Sequence, residues 1–366
     1  MAANRQRLSV TEFDFDEVKD NLKLFMRNQT EFKDYDFEGS GLSALLDVLA
    51  YNTHYLGFNA NMLANEMFLD SSQLRSSVVS HAKTLGYTTR SATASNAVVD
   101  IFLNTTNASA TMPAGTVFGA SVDDESYQFV TISESVAFNS GSNIVFDDIR
   151  IYEGSYVSSR YVADTQNVEQ RFLINDNRVD TTTLSVVVQN SATDTTQKTF
   201  TQSTDISGLT STSNVYFIQE VEGGQYEIYF GDGILGSAIE DGNIIIMQYV
   251  VTNKGAANGA STFTSSSAID TVNSVNVVTV SNSAGGSEPE SIESIKYNAP
   301  LDYASQGRCV TTEDYKTYVK QLFANTQAVS VWGGEDGSFN DVTGVSDSAE
   351  YGKVFISVKS TTGLNL

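Results

Sequence analysis

Through residues 1–90, apolar side chains recur every three or four positions, the spacing of helices with one sticky face. "DFDEVKDNLKLFMRNQ" places Val18, Leu22 and Phe25 together, with Asp14, Asp16 and Glu17 near the start, where the helix dipole favours negative charge. "SGLSALLDVLAYNTHYLGF" predicts a second helix capped by Ser40, with Leu42, Leu45, Leu46, Leu49, Thr53 and Leu56 at helical spacing. A third is expected to start at Ser71 or Ser72, to carry Leu74, Val78, Ala82 and Leu85 inward, and to stop at Gly86.

From about Asn96 the pattern changes to short runs of Val, Ile, Thr, Tyr and Phe between turn residues. "AVVDIFLN", "YQFVTISESVAF", "NIVFDDIRIYEG" and "TLSVVVQN" each read as a strand, and "MPAG" as a turn. "QEVEGGQYEIYFGDG" predicts a hairpin turning at Gly223-Gly224. "NIIIMQYVV" is continuously apolar, as a strand buried on both faces would be. Helical spacing returns near the end. A helix is expected from Ser287 or Glu288, ended with the help of Pro300. "VTTEDYKTYVKQLFA" follows, capped by Thr311, with Tyr315, Val319, Leu322 and Phe323 on one face. Strands "QAVSVW" and "GKVFISVKS" then flank a polar loop from Gly333 to Gly352. The fold class is α+β: a helical assembly segment (1–90), a β-rich domain (91–284) and a small α/β sandwich (285–366).

Composition narrows the function. Hydrophobic content of 40% and aromatic content of 10% specify a folded chain. A net charge of −23 would be repelled by phosphate backbones and anionic lipid, so neither nucleic acid nor membrane is expected as a partner. No run approaches the ~20 apolar residues of a membrane span. "MAANRQRLSV" lacks the apolar core of a signal peptide, so synthesis and use in a cytoplasm, or in something assembled there, is expected. The single cysteine, Cys309, reads as a small packed residue.

Candidate chemistry is sparse. His54 and His81 lie on different helices without a partner motif, and are read as surface or packing residues. There is no Gly-x-Ser-x-Gly, no His-Glu-x-x-His and no Gly-Lys-Ser or Gly-Lys-Thr. Neither catalytic residues, nor a cofactor, nor a metal site is expected. The loop "YFGDGILGSAIEDGN" holds Asp232, Glu240 and Asp241 without the alternating acids of a calcium loop, and "VDDES" reads as a solvated turn. A strand enters that loop and a strand leaves it, so no helix dipole stands behind it to hold a phosphate. It reads as tight turns, with Ile234-Leu235 and Ala238-Ile239 as apolar pegs against the domain.

Phe230, Gly231, Asp232, Gly233, Gly236, Gly242, Tyr249, Gly255, Asn258 and Gly259 follow, in order, the hallmark segment of the baseplate J-like family of contractile phage tails, which this chain resembles. "GGSEPESIESIKYNAP" with "GRCVTTEDYKTYV" is similar to that family's second signature. "EFKDYDFEGSGLSALLDVLAYNTHYLGFNANMLANEMFLDSSQLRSSVVSHAKTLGY" resembles the inner baseplate wedge subunits of T-even-type contractile-tailed phages. The resemblance implies a non-enzymatic virion protein of the tail baseplate, assembled in the host cytoplasm. Its implied partners are a second copy of itself, other wedge proteins, and neighbouring wedges in a sixfold ring around the hub, whose rearrangement is coupled to sheath contraction. Such subunits continue past the "VFISVKS" strand, whereas this sequence stops at Leu366.

The residues point the same way. Tyr51, Tyr55, Phe58, Met62 and Met67 add more apolar surface than three short helices can hide. An intrachain core remains the commoner fate for any one of Leu42, Leu45, Leu46 and Leu49. For residues 15–85 as a whole, interchain packing is expected through Leu22, Phe25, Leu45, Leu49, Tyr51, Tyr55, Phe58 and Met62. The alternative is a β-rich carbohydrate-binding or adhesive tail protein, which would suit the Thr/Ser/Asn-rich middle and would show clustered exposed aromatics there.

Overall fold

The computed structural model describes residues 14–27, 40–139, 141, 143–167, 170–204, 208–323, 326–334, 339–340, 345–346 and 351–360. Asn28 and Gln29, read above as the end of the first helix, and most of the Gly333–Gly352 loop lie outside the described residues. The chain divides into two compact units, residues 1–84 and 85–366.

The first unit holds α1 (Phe15–Arg27), α2 (Gly41–Glu66) and α3 (Arg75–Thr84). Ser40 caps α2 as its sequence predicts, its Oγ accepting from the Ser43 N–H at 3.0 Å. Val18 of α1 and Ser43, Leu46 and Ala50 of α2 are buried, and Lys19 pairs with Asp47 at 2.6 Å. α3 starts at Arg75, later than expected, because the end of α2 claims the residues before it. The Glu66 carboxylate accepts from the N–H groups of Gln73 (2.8 Å) and Leu74 (3.3 Å), and the Ser72 N–H bonds to the Phe68 carbonyl. Val78 and Ala82 are buried, whereas Leu74, expected inward, is exposed.

The second unit begins with fifteen strands. They are β1 (Asn96–Asn104), β2 (Ser109–Met112), β3 (Val117–Val122), β4 (Glu125–Val130), β5 (Ser135–Phe138), β6 (Asn143–Glu153), β7 (Ser155–Val162) and β8 (Phe172–Ile174). After these come β9 (Val179–Gln189), β10 (Gln197–Gln202), β11 (Val215–Glu220), β12 (Tyr226–Phe230), β13 (Ile244–Val251), β14 (Thr264–Ser265) and β15 (Val275–Ala284). A six-stranded sheet runs β14-β3-β4-β6-β1-β15 and a seven-stranded sheet β7-β13-β9-β10-β11-β12-β8. Each has its own core: Val99, Ile101, Leu103, Phe118, Phe129 and Ile151 in the first, Phe172, Val186, Ile228, Ile245 and Met247 in the second. β13 is an interior strand, paired on both sides by β7 and β9, and Ile245, Ile246, Met247, Tyr249 and Val250 are buried on its two faces, as its apolar run predicts.

"YQFVTISESVAF" is two strands rather than one. Thr131 folds back onto Thr116 and Pro113 through its backbone and hydroxyl, so β4 stays in the six-stranded sheet while β5 pairs with β2. Asp123 and Asp124 form the two-residue turn between β3 and β4, both with positive φ, which explains the acidic doublet without an ion. β11 and β12 form the hairpin expected at Gly223-Gly224. Gly154 joins the two sheets between β6 and β7. Its φ is +124°, and a Cβ there would lie 2.2 Å from the Val251 carbonyl oxygen.

The unit closes with α4 (Ile292–Ser305), α5 (Thr312–Leu322), β16 (Thr326–Gly333), the short β17 (Phe339–Asn340) and β18 (Val345–Ser346), and β19 (Val354–Ser360). α4 starts later than expected, capped by Ser291, because Ser287 pairs with Thr93 and the Glu290 N–H bonds to the Arg90 carbonyl. Pro300 lies inside α4, which continues to Ser305 and ends at Gln306 with φ 49°. The loss of one N–H there is tolerated because flanking turns hold the helix. Thr311 and Asp314 form a reciprocal capping box at α5. Val319 of α5 is buried and Tyr315 half-buried, but Leu322 and Phe323 are exposed, since the face ends where α5 does. β16 and β19 pair antiparallel, with α5 packed on β16.

Candidate assembly surfaces

The glycine-rich loop does not connect neighbouring strands. β12 and β13 are separated in the sheet by β11, β10 and β9, so residues 231–243 cross one end of it. Gly231 sits where a Cβ would lie 2.3 Å from the Leu235 carbonyl oxygen, and at Gly236 one would lie 2.9 Å from Val215 Cγ2. Asp232 Oδ1 accepts from the N–H groups of Ile234 and Leu235, both at 2.9 Å, and these bonds hold its carboxyl below the ordinary carboxylate value. Gly233 bonds to the Gly236 carbonyl, Gly236 to Thr210 and Gly242 to Ala163, while Asn243 reaches Asn190 at 2.8 Å. Phe230 meets Phe172 and Phe200 edge-on, and Tyr249 is buried with its hydroxyl 3.0 Å from Ser159 Oγ. The pegs are fewer than expected: Ile239 packs on the core, but Ile234 (74% exposed), Leu235 and Ala238 face outward, because the Asp232 bonds turn that crest away from the sheet.

The second half of the motif clamps a strand crossing. Asn258 Oδ1 accepts from Ser95 Oγ (2.8 Å) and the Gly286 N–H (3.0 Å), while its Nδ2 donates to the Gly286 carbonyl. Gly259 bonds to Ser283, and at Gly255 the Gly286 carbonyl stands 3.1 Å from where a Cβ would be.

α2 is different in kind. No Asp, Glu, Lys or Arg occurs from Val48 to Asn65, and beyond Ala50 no residue of the helix is fully buried. Of the eight side chains expected to meet partners, Leu22 is half-buried. Phe25, Leu45, Leu49, Tyr51, Tyr55, Phe58 and Met62 are all exposed, from 42% at Met62 to 61% at Phe25. Val48, Leu56, Leu63, Met67 and Phe68 are exposed too; for Val48 and Leu63 the sequence signal is the absence of charge from Val48 to Asn65. Exposed apolar residues surround this helix, so one neighbour cannot cover it. Covering the remaining exposed half of about half a dozen such side chains, at roughly 0.8–1.5 kcal/mol each, gives about 5–9 kcal/mol. That is comparable with the lower part of an association cost of ~4–15 kcal/mol.

Reactive groups do not converge. Among the described residues no cluster of three or more His, Cys, Asp or Glu is placed to hold a metal. His54 is half-buried on α2, and His81 Nε2 lies 2.9 Å from the Glu66 carbonyl, tying α3 to the end of α2. Cys309 is exposed rather than packed, since it lies in the loop between α4 and α5. Desolvation and the Asp314 carboxylate push its thiol above the ordinary value, which disfavours a nucleophilic thiolate. Glu153, Asp180, Glu220 and Glu290 are buried, each receiving hydroxyl or amide hydrogen bonds. No helix of the described residues is long and apolar enough to cross a membrane.

Three family models match the chain: "Baseplate wedge protein gp6-like, helical domain" over residues 14–87, "Bacteriophage baseplate wedge protein gp6, third domain" over 160–261, and "Baseplate structural protein gp6, C-terminal domain I" over 311–366. Among curated proteins the chain is similar to "Baseplate wedge protein gp6" of Enterobacteria phage T4, with 31% identity over 386 residues covering 96% of this chain and 54% of that protein. The chain thus spans about half the length of the curated relative it matches. A chain of the "Cryo-EM structure of the anti-feeding prophage (AFP) baseplate, 6-fold symmetrised" aligns at 11% identity and a TM-score of 0.31, covering 86% of this chain and 57% of that one.

Proposed function

We propose that this chain, matched by three baseplate wedge family models and similar to a baseplate wedge protein, is a structural subunit of a contractile-tail baseplate that assembles through its helical unit. The observation that carries this reading is α2, uncharged over most of its length and exposed on several sides. Such a helix is stable in water only when other helices surround it.

In finer terms, the protein is a baseplate J-like wedge subunit without enzymatic activity, located in the virion tail after synthesis in the host cytoplasm. It pairs with a second copy and with other wedge proteins, and wedges close into a sixfold ring around the hub. Phe230, Gly231, Asp232, Gly233, Gly236, Gly242 and Tyr249 serve the fold by bracing the sheet end rather than by holding a ligand. The carbohydrate-binding alternative gains nothing: from residue 91 to 284, Phe138 is the one large aromatic exposed among the described residues.

The test is co-expression of the full chain with the other wedge subunits of the same phage, followed by affinity isolation and mass spectrometry. A stable complex that is lost with Leu49→Asp plus Tyr55→Asp supports the reading. Retention of the complex by that variant, or a wild-type chain that stays monomeric beside its wedge subunits, overturns it.

A further inference from the structure

Residues 87–95 contain no helix or long strand, yet Tyr87, Thr89, Ser91, Ala92, Ala94 and Ser95 are all buried. On one side this segment bonds to the sheets. Thr89 Oγ1 donates to the Glu220 carboxylate, Ser91 Oγ accepts from the Thr181 N–H at 3.0 Å, and the Ala94 N–H donates to Asp180 at 2.8 Å. On the other side it bonds to the start of the C-terminal module formed by α4, α5, β16 and β19. Tyr87 donates to both oxygens of Glu290 (2.9 and 3.0 Å), the Arg90 N–H donates to Glu290, and the Glu290 N–H donates back to the Arg90 carbonyl at 3.0 Å. Thr93 and Ser287 exchange two backbone bonds, both 3.1 Å. Glu290 also receives Ser294 Oγ (2.7 Å) and Asn298 Nδ2 (3.0 Å), so one carboxylate registers both the segment and the first turns of α4.

Among the described residues no helix or strand of the module packs extensively along a strand of either large sheet. Its fastening is chiefly this segment, helped on the approach to α4 by the Asn258 bonds to Gly286 and an ion pair between Lys254 and Glu288. We propose that residues 87–95 form a strap through which the C-terminal module is held to the sheets. The module opens as a unit on the Glu290 side while the strap stays on the sheets. The sides differ in how their bonds are shared. The sheet side is spread over Glu220, Thr181, Asp180 and Asn258 and runs directly into β1, whereas the module side centres on the Glu290 carboxylate and the Thr93–Ser287 bridge, with one longer bond from Arg90 Nη1 to the Lys320 carbonyl of α5 (3.4 Å). A wedge subunit would use such a joint to let its C-terminal module turn without unfolding its sheets.

Native-state hydrogen exchange of the full chain, read by mass spectrometry, tests this without reference to the baseplate reading. Glu290→Gln is expected to speed exchange of α4 and α5 amides by about tenfold or more while β1, β9 and β13 stay protected. Equal acceleration of sheets and helices, or no acceleration, overturns the proposal. If Glu290→Gln does not fold, the wild type in graded denaturant and Tyr87→Phe carry the test. Separate opening of α4–α5 before the sheets, advanced by Tyr87→Phe, supports the strap. A single opening of the whole unit sinks it.

Discussion

Phe118, Phe129, Ile151 and Met247 are enclosed in the two sheets, and each sheet closes a core of its own; Phe25, Leu49, Tyr55 and Phe58 of the helical unit are roughly half exposed or more. The contrast is not one of composition, since both regions are rich in large apolar side chains. It lies in where those side chains find neighbours. The strands pair with each other and alternate faces, so each sheet completes its core within the chain. Three helices cannot surround the middle one, so α2 keeps apolar side chains exposed, which on the proposed reading partner helices cover.

The comparison can be broken most forcefully inside the sheets. Phe129→Ala, which also removes an edge-on contact with Phe263, should cost about 3–5 kcal/mol in urea unfolding of the isolated chain. A loss below ~1 kcal/mol would mean that the sheet core is not closed. Gly154→Ala places a Cβ against the Val251 carbonyl at strained φ, and should lower stability by about 1–3 kcal/mol in the same assay. Tyr55→Ala sharpens the other half. It should move the isolated chain's midpoint by less than ~0.5 kcal/mol, yet weaken wedge-partner binding by at least about 1.4 kcal/mol in titration calorimetry. Ser40→Ala should cost about 1 kcal/mol, seen as lost helicity in circular dichroism.

The smallest effect concerns Asp232. Its folded carboxyl titrates below the unfolded value, so its contribution is present above the unfolded value and lost as pH falls through the folded one. Carbon-13 titration should place its midpoint below that of an exposed aspartate, and Asp232→Asn should flatten this part of the acid stability profile.

Local features were the most legible in sequence. Ser40 and Thr311 announce helix starts, Gly223-Gly224 announces a hairpin, and the apolar run at Ile244–Val251 announces an interior strand, because each depends on neighbours a few residues away. What escaped depends on distant pairing. The start of α4 moved to Ile292 because Thr93 and Arg90 claim Ser287 and Glu290, almost two hundred residues along the chain. The crossing of residues 231–243 over three strands follows from a sheet order that no local pattern encodes. The outward turn of Ile234 follows from two backbone bonds to Asp232. For the proposed interface, absence of charge in α2 was the informative signal, since it holds whichever face is turned outward.

That uncharged stretch of α2 also sets a schedule for the cell that makes the protein. A free copy carries a surface that chaperones and other copies recognise as unfolded, so the ratio of its synthesis to that of its partners governs how much survives to assemble. The net charge of −23 works against early clumping by keeping free copies apart. On the proposed reading, supply of partners rather than folding of the sheets is then expected to limit yield.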